Sequence, residues 1–419
     1  MATVIEGIVA RKIFDSRGAE TIEVDVMTAS GSGRSSAPAG ASKGKAEAVS
    51  YPKGGVDEAI RKVKEAIAPE LIGLETDQQE EVDSLLHEID GTTDFSNIGG
   101  NIVYAISLAT AEAAANSHGI PLFQHLAGRS VNELPSPLGN VLGGGKHARG
   151  KAPDIQEFLV LPIKANTFLE AAKINTLVHQ KVGSLLRKTD AALVGGKGDE
   201  GAWSPNMGNE DSLEVVAKAC KEVSEQFGVE CRVGLDFASS SLWDSKEKCY
   251  IYVQDRTKRD SGKQLDYVLS LIEKYNLVYA EDPFHEEDFK SFAELAKKAK
   301  RCLVCGDDLF VTNKEKLAQG INLRAGNSII IKVNQVGTLT DAWETTKLAK
   351  KAKYTPVISH RSGETADTKI AHLALAFNCP IIKTGIVGGE RAAKINELIR
   401  IEEILGKKAK MSAIQVLGE

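Results

Sequence analysis

Acidic side chains lie at the ends of three short apolar segments in the second half of the sequence. Asp236 ends CRVGLD, Glu281 lies at the end of LVYAED, and Asp307 lies at the end of CLVCGDD. A single acidic residue in such a place is usually a helix N-cap or a loop residue. Three converging carboxylates would repel one another, and Mg²⁺ relieves such repulsion because it takes oxygen ligands. Together the three residues therefore predict a Mg²⁺ site.

A lysine ends the next apolar segment, SIIIK, at position 332. Lysine is rarely buried without a charged partner, so Lys332 has either a structural or a chemical role. In a structural role it would be a counter-ion for the carboxylates. In a chemical role it would be a general base, because apolar surroundings and a nearby divalent cation both lower the pKa of an ammonium group. For the second role we expect the pKa of Lys332 to be lowered.

A glycine-rich segment, GGGKHARGKAPD, contains the spacing of a phosphate-binding P-loop. Ala152 occupies the position that should carry a Mg²⁺-binding hydroxyl, and Pro153 and a strand-like stretch follow where a helix should begin. The P-loop interpretation is therefore rejected. What remains is a loop that carries His147, followed by Gln156 and Glu157, at the rim of the predicted site.

Two further segments carry polar residues that could contact a substrate. The glycine-rich VGGKGDEGAWSP presents Asp199 and Glu200, and glycine-rich loops at a catalytic rim can act as lids. The segment SHRSGETADT places His360, Arg361 and Ser362 at the end of another apolar run. Arginine and serine together suit a phosphate group, through a planar charged fork and a hydroxyl donor.

The spacing of these chemical residues indicates the elements that position them. Positions 281, 307, 332, 360 and 383, the last being Lys383 in PIIKTG, are separated by 26, 25, 28 and 23 residues. One strand, one helix and two short loops require about that many residues. The repeat predicts a (β/α)8 barrel of the TIM type, whose active site forms at the C-terminal ends of the strands.

The first third of the chain has a different pattern. IEGIVARKIF and TIEVDVMT are typical of strands, and the apolar spacing of the segments that follow them is helical. Strands followed by helices indicate an α+β domain. The polar, proline-containing stretch GRSVNELPSPLG is a candidate boundary, so we expect an N-terminal α+β domain over residues 1–130 and a barrel over 131–419.

The composition narrows the class of protein. The 419 residues have a net charge of −5 and a pI of about 6.0, which argues against nucleic-acid binding. No apolar run reaches the roughly 18 residues that span a membrane, and the N-terminus lacks a secretory pattern, so a cytoplasmic protein is expected. Cys302 and Cys305 form a lone CxxC within an apolar run, where we expect buried thiols on opposite faces.

Sequence strings along essentially the whole chain resemble the enolase family, the phosphopyruvate hydratases. In chain order they are DSRG, GASKG, KH, QEFLVLP, GDEGAWSP, EDPFHEEDF, GDDLFVTN, IKVNQVGTL, SHRSGET and IKTG. Most other members of the wider enolase superfamily share the barrel but not these strings. A lysine or histidine base with Mg²⁺ is itself an established arrangement of that superfamily.

The resemblance implies a lyase that reversibly dehydrates 2-phospho-D-glycerate to phosphoenolpyruvate in glycolysis and gluconeogenesis. Lys332 would remove the C2 proton, and Glu200 would help the C3 hydroxyl to leave. Asp236, Glu281 and Asp307 would hold a first Mg²⁺, and a second Mg²⁺ would arrive with the substrate. Lys383 would hold the substrate carboxylate, and Arg361 and Ser362 the phosphate. The remaining pocket residues would be His147, Gln156, Glu157 and His360.

The first glycine-rich loop departs from the family pattern. It reads AGASKG where SGASTG is usual, with Ala39 and Lys43 in place of Ser and Thr. The resemblance assigns that serine's hydroxyl and carbonyl to the second metal, so Ala39 would contribute only its carbonyl. We therefore expect a weaker second site, with the charge of Lys43 as compensation.

Two alternatives remain. A sugar-acid dehydratase or racemase of the superfamily would usually carry a K-x-K pair on an early barrel strand, which this sequence lacks. A non-catalytic enolase paralogue with a binding or regulatory role is favoured by Ala39 alone. The resemblance further implies a homodimer or a larger homo-oligomer, and a phosphorylated small molecule as the substrate.

Overall fold

A three-stranded antiparallel sheet begins the chain, which the computed structural model describes over residues 2–41, 44–128, 130–148, 150–189 and 196–414. Its strands, in spatial order, are β1 (Ile5–Phe14), β2 (Glu20–Thr28) and β3 (Ser32–Ser36). The alternation in TIEVDVMT buries Ile22, Val24 and Val26 on one face of β2. That face is the foundation of the first hydrophobic core.

Helices pack against this sheet. They are α1 (Gly55–Lys62), α2 (Ala68–Leu71), α3 (Gln79–Asp90), α4 (Gly100–Ser117) and α5 (Leu122–Ala127), with a π-helical turn, Val63–Ile67, between the first two. Helix α4 contacts β2 and β3 and is buried on nearly all sides, because its sequence carries a single charge. Gly33 permits this contact, since a Cβ there would lie 2.0 Å from the Ala109 carbonyl oxygen. The order of strands and then helices confirms the expected α+β pattern.

The rest of the chain contains a larger set of strands. They are β4 (Glu133–Leu134), β5 (Ser136–Gly143), β6 (Glu157–Pro162), β7 (Cys231–Asp236), β8 (Trp243–Asp244), β9 (Cys249–Tyr252), β10 (Thr257–Arg259), β11 (Tyr279–Glu281), β12 (Leu303–Gly306), β13 (Ser328–Ile331), β14 (Thr355–Ser359), β15 (Ile381–Lys383) and β16 (Lys410–Met411). Strands β8 to β10 form a small antiparallel sheet, and β4 pairs with β16. The other eight strands close into a barrel.

The barrel has the order β11-β12-β13-β14-β15-β5-β6-β7 and closes between β7 and β11. All neighbouring pairs are parallel except those of β6, which is antiparallel to both β5 and β7. The expected TIM-like barrel is thus confirmed, and its antiparallel strand β6 departs from the regular (β/α) repeat. Helices of this part are α6 (Phe168–Thr189), α7 (Asn209–Phe227), α8 (Ser261–Tyr275), α9 (Phe289–Lys298), α10 (Lys314–Leu323), α11 (Val333–Val336), α12 (Leu339–Lys351), α13 (Lys369–Ala376) and α14 (Gly389–Leu405).

Two separate apolar clusters stabilise the barrel. The smaller cluster takes buried residues from seven of the eight strands, which identifies it as the barrel interior: Leu138, Leu159, Leu161, Tyr279, Leu303, Cys305, Ile330, Val357 and Ile381. Cys305 belongs to this cluster and Cys302 to the outer one, so the two thiols face opposite sides as expected. Within the described ranges, no helix has the length and apolar character needed to cross a membrane.

Candidate active site

A narrow cavity lies where the polar ends of the barrel strands meet the first glycine-rich loop. Eleven of the thirteen residues predicted from the sequence line it: His147, Gln156, Glu157, Glu200, Asp236, Asp307, Lys332, His360, Arg361, Ser362 and Lys383. Glu281 is not in the lining, but it contacts Lys383 and is buried directly behind it. Only Ala39 is left outside this cluster. Residues that are far apart in the sequence therefore meet at one place, because most of them end or follow a barrel strand.

Three carboxylates stand side by side on adjacent strands of the cavity wall. In the strand register Glu157 on β6 is paired with Asp236 on β7, and Asp236 is paired with Glu281 on β11. Like charges directly opposite each other across strands are destabilising. The antiparallel direction of β6 makes this row possible, because its first residue lies level with the last residues of β7 and β11. We call these three residues the carboxylate row.

Lys383 is the counter-ion of the carboxylate row. Its Nζ lies 2.7 Å from Glu281, 3.1 Å from Asp236 and 3.3 Å from Glu157. Burial lowers the pKa of this lysine, but the carboxylates, Asp236 foremost, more than reverse that and hold it well above its usual value. The sequence predicted that Asp236, Glu281 and Asp307 would lack a counter-charge. Lys383 supplies one to the first two of these residues.

Lys332 has a different partner, Asp307. Its ammonium group hydrogen-bonds the Asp307 carboxylate, whose other oxygen accepts a 2.8 Å hydrogen bond from the Gln335 amide. Burial lowers the pKa of Lys332, but the negative charge of Asp307 outweighs this effect, so the pKa is raised overall. The expected lowering depends on a nearby cation and stays a prediction, and the residue that the sequence did not place beside Lys332 is its carboxylate partner Asp307.

The donor set fits a hard divalent cation. Buried oxygens without a hydrogen-bond partner include Glu281 Oε1 and Gln156 Oε1. Burial and then the neighbouring Asp236 raise the pKa of Glu281 to about 7, so part of this cluster would hold protons at neutral pH unless another positive charge joined it. Unsatisfied buried oxygen atoms in a crowded anionic site are what a magnesium-like ion satisfies.

Glu200 lies on a second wall with two histidines. His360 Nε2 is 3.3 Å and His147 Nδ1 is 3.8 Å from Glu200 Oε1, and the Asn140 amide donates a 3.0 Å hydrogen bond to Oε2. Burial would raise the pKa of Glu200, but its neighbours His360, His147 and Arg391 more than offset burial and hold this pKa well below its usual value. Without substrate this carboxyl group is therefore ionised.

The predicted phosphate-binding residues form the third wall. The Arg361 guanidinium donates to Glu47 at 2.9 Å and 3.2 Å and to the Asn334 side chain at 3.2 Å. Ser362 Oγ accepts a 2.7 Å hydrogen bond from the Ala41 amide. Arg361 thus reaches an anion in the structure, and that anion is a carboxylate from the segment just after the first glycine-rich loop.

Ala39 does not reach the cavity. Its carbonyl oxygen accepts a 2.8 Å hydrogen bond from the Gly363 amide and a 3.4 Å one from Arg17. Its role towards a second metal stays a prediction, and that role would require this oxygen to leave both donors. Lys43, the expected compensating charge, lies outside the described residues.

Sequence reasoning missed several residues that shape the site. Asn140 gave a usable signal, because it is a polar residue within the buried strand SPLGNVLG. Glu47, Gln335 and Arg391 gave none, since each lies in a helix or a loop distant in sequence from the partner it contacts. Their positions follow only from the packing of the two parts of the chain.

Comparisons with known proteins agree with this geometry. Residues 5–126 match the family model of the enolase N-terminal domain, and residues 131–418 match that of the enolase C-terminal TIM barrel domain. An enolase of Methanosphaera stadtmanae is 54% identical, over 97% of this chain and 98% of that protein. An enolase of Methanothermobacter thermautotrophicus is 52% identical over 96% and 97%, and one of Pyrobaculum aerophilum is 45% identical over 97% and 98%.

Similarity at this level extends through both parts of the chain. The family assignment therefore no longer depends on short sequence strings alone, because relatives that match nearly the whole chain are enolases. The chain belongs to the enolase family, the phosphopyruvate hydratases, and is a lyase.

Proposed function

We propose that this enolase reversibly dehydrates 2-phospho-D-glycerate to phosphoenolpyruvate with Lys332 as the base and Glu200 as the acid. The observation that carries the proposal is that both residues line one cavity together with a carboxylate cluster and Arg361. The substrate is an anion at both ends, and the cavity offers Lys383 for one end and Arg361 with Ser362 for the other. A phosphorylated hydroxy acid therefore fits between these cations.

The metal assignment is part of the same proposal. Asp236, Glu281 and Asp307 would hold one Mg²⁺, and a second would arrive with the substrate. When bound, the ions supply positive charge where the substrate carboxylate gains electrons, which is usually the largest catalytic term. The unpartnered oxygen of Glu281 and the like charges of the carboxylate row support the first site.

The side chains of this chain would carry the protons. Lys332 Nζ takes the proton from C2, and the electron pair of that bond moves into the substrate carboxylate. The pair then returns to form the C2–C3 double bond while Glu200 gives a proton to the C3 hydroxyl, which leaves as water. Hydration runs through the same steps in reverse, so each residue exchanges its role between donor and acceptor.

Both proton carriers must change state before they can act in the direction of dehydration. Lys332 is held protonated by Asp307, and sharing that carboxylate with a cation would weaken the hold of the lysine on its proton. Glu200 is held ionised by His360, His147 and Arg391 beside it, and the negative charge of the substrate would raise its pKa. Substrate and metal together would therefore bring the two groups into the protonation states that dehydration needs.

The remaining residues would orient the substrate. Gln156 and Glu157 border the carboxylate end, whereas His147 and His360 lie beside Glu200. We further propose a homodimer or larger homo-oligomer and a cytoplasmic location, both from the family resemblance.

The test is turnover of 2-phosphoglycerate, followed by the ultraviolet absorbance of the enol phosphate during Mg²⁺ titration. Turnover should vanish with EDTA and in Lys332→Ala. The exposed Lys297→Ala is the matched control and should keep the wild-type rate. A folded protein that binds the substrate without turnover at saturating Mg²⁺ would contradict the proposal and favour the non-catalytic paralogue.

A further inference from the structure

A buried arginine that the proposed mechanism does not use lies beneath the Glu200 wall. Arg391 is the third residue of α14, and its side chain is 0% exposed. Its Nη1 lies 2.7 Å from His360 Nδ1 and 2.7 Å from the Arg361 carbonyl oxygen. Its Nη2 lies 2.6 Å from the Ser362 carbonyl oxygen. One guanidinium group therefore contacts three consecutive residues of the substrate-binding segment.

The contact with His360 fixes which ring nitrogen carries the proton. A guanidinium has five N–H donors and no acceptor, and it stays protonated in proteins. His360 Nδ1 must therefore accept this hydrogen bond and cannot hold a proton itself. The proton of a neutral imidazole is then on Nε2, the nitrogen 3.3 Å from Glu200 Oε1.

Arg391 also connects the loop that carries Glu200 to the loop that carries His360. Its Nη2 lies 3.5 Å from the carbonyl oxygen of Asp199, the residue before Glu200. The charge is balanced locally, because Nε lies 3.3 Å from the Glu390 carboxylate. The same group thus sets both the separation of the two loops and the proton position on the ring between them.

We propose that Arg391 is a positioning residue for catalysis, holding His360 as the neutral Nε2–H tautomer, with this N–H beside the Glu200 carboxylate. This inference rests on the proposed function, in which Glu200 is the acid. A neutral donor orients the carboxyl group without the full ion pair that an imidazolium would form. Glu200 can then take up and release a proton while its orientation is kept.

The electrostatic surroundings agree with a neutral ring. Burial lowers the pKa of His360 to about 4, and the charge of Arg391 lowers it further against the opposing effect of Glu200. The geometry alone sets the tautomer, since burial does not distinguish one ring nitrogen from the other.

A neighbouring residue provides a matched control for a purely structural role. Lys394 is one turn further along α14, its side chain is 1% exposed, and it donates to the Thr365 carbonyl oxygen and to Glu364, each at 2.9 Å. It thus binds the same segment through backbone and carboxylate without touching His360. Loss of Lys394 reports on the stability of the segment, whereas loss of Arg391 reports on stability and on the tautomer.

The test is nitrogen NMR of ¹⁵N-histidine protein at neutral pH, with the His360 signals assigned from His360→Gln. The wild-type spectrum should show a neutral ring with the proton on Nε2. Arg391→Met should show a proton on Nδ1 or on both nitrogens, with a fall in kcat of at least tenfold. Arg391→Lys keeps a positive charge but loses the planar guanidinium group. Its His360 signals and its kcat should lie between those of the wild type and of Arg391→Met.

Lys394→Met should lower the unfolding temperature, leave the His360 signals unchanged and reduce kcat less than threefold. A wild-type His360 that is protonated on Nδ1 would overturn the proposal without any variant, even if Arg391→Met does not fold. Unchanged His360 signals in a folded Arg391→Met protein or in Arg391→Lys would also overturn it. Lack of turnover in the wild-type protein counts against the proposed function, whereas the wrong tautomer in an active protein counts against Arg391 alone.

Discussion

Lys332 and Lys383 line the same cavity from two barrel strands, yet their surroundings differ. Lys383 ends β15 and reaches all three members of the carboxylate row, at 2.7 to 3.3 Å. Lys332 follows β13 and, within the described ranges, forms an ion pair with one carboxylate, that of Asp307. Several neighbouring carboxylates keep a lysine protonated. A single carboxylate partner stabilises the ammonium group less once it also binds a cation.

This difference indicates which lysine can act as a base. The pKa of Lys383 is held well above its usual value by Asp236 and its neighbours, so this ammonium group suits permanent binding of an anion. The pKa of Lys332 is raised chiefly by Asp307, the residue also proposed to bind the metal. Lys383 is thus suited to stay protonated, whereas Lys332 is suited to lose and regain a proton. The two lysines differ in this way because Lys383 has three carboxylate partners and Lys332 has one.

The largest expected effect is that of Lys332→Ala on proton transfer. General bases contribute about 10²- to 10⁴-fold, and we expect a loss in kcat of about 10⁴-fold because this base acts on a weakly acidic C–H bond. Exchange of the C2 proton with solvent deuterium, followed by NMR, should stop as well. Exchange at the wild-type rate would show that another group is the base and that Lys332 and Lys383 do not differ in the proposed way.

Glu200→Gln should separate the two halves of the reaction. Loss of the acid removes proton donation to the leaving hydroxyl, and we expect kcat to fall by about 10³-fold. The C2 proton should still exchange with solvent because Lys332 and the metal ligands are intact. A variant that loses exchange together with turnover would contradict the assignment of separate roles.

Lys383→Met should act on stability as well as on activity. Removing one partner of a buried ionic cluster costs about 3–5 kcal/mol, because the remaining charges stay buried and unpaired. Urea unfolding in EDTA measures this loss, and added Mg²⁺ should restore more stability to the variant than to the wild type. Equal stability of the two proteins in EDTA would mean that Lys383 is not the counter-ion of the carboxylate row.

His87 and Asp341 form an ion pair outside the cavity, with ring Nε2 and carboxylate 2.8 Å apart and both side chains about 40% exposed, so it is a reference for the buried pairs. The hydrogen bond to Asp341 raises the pKa of His87. Its stabilisation is therefore complete below the unfolded-state pKa of about 6.5 and is lost as the pH rises through the folded-state value.

Urea unfolding of wild type and His87→Gln at about pH 5 and about pH 9 measures this pH dependence. We expect the destabilisation to be larger at the lower pH by less than about 1 kcal/mol, because solvent screens an exposed pair. An equal loss of unfolding free energy at both pH values would show that the imidazole stabilises the fold by packing against Phe95 and not by its charge.

Ala39→Ser should have the smallest effect. Because the Ala39 carbonyl is bound by Gly363 and Arg17, we expect the Mg²⁺ concentration for half-maximal activity to change less than twofold. The measurement is initial rate against Mg²⁺ concentration at saturating substrate. A severalfold fall in that concentration would show that position 39 does bind the second ion.

Much of the barrel and its active site could be predicted from the sequence, because a buried strand that ends in a charged residue gives a strong local signal. Asp236 and Lys383 were found in this way, and each is the last residue of its strand. The spacing of the strand-end residues and their residue types can be read from the sequence alone, without knowledge of how the strands pack.

Other features depend on contacts that no local pattern encodes. Glu47 meets Arg361 across 314 positions of sequence, and Arg391 meets His360 from a helix that has no unusual composition. The pairing of Lys332 with Asp307 was missed for the same reason, since it depends on which carboxylate the side chain reaches. Sequence patterns therefore identified the residues that line the cavity better than the residues that hold them in place.

The carboxylate row has a consequence for the energetics of folding. Its members lie far apart in the unfolded chain and side by side in the barrel, so a cation that binds the row binds the folded state alone. Such a ligand adds about 2.7 kcal/mol of stability at a concentration one hundred times its Kd. Folding and cation supply become one linked equilibrium, and a chelator would act on this protein as a mild denaturant.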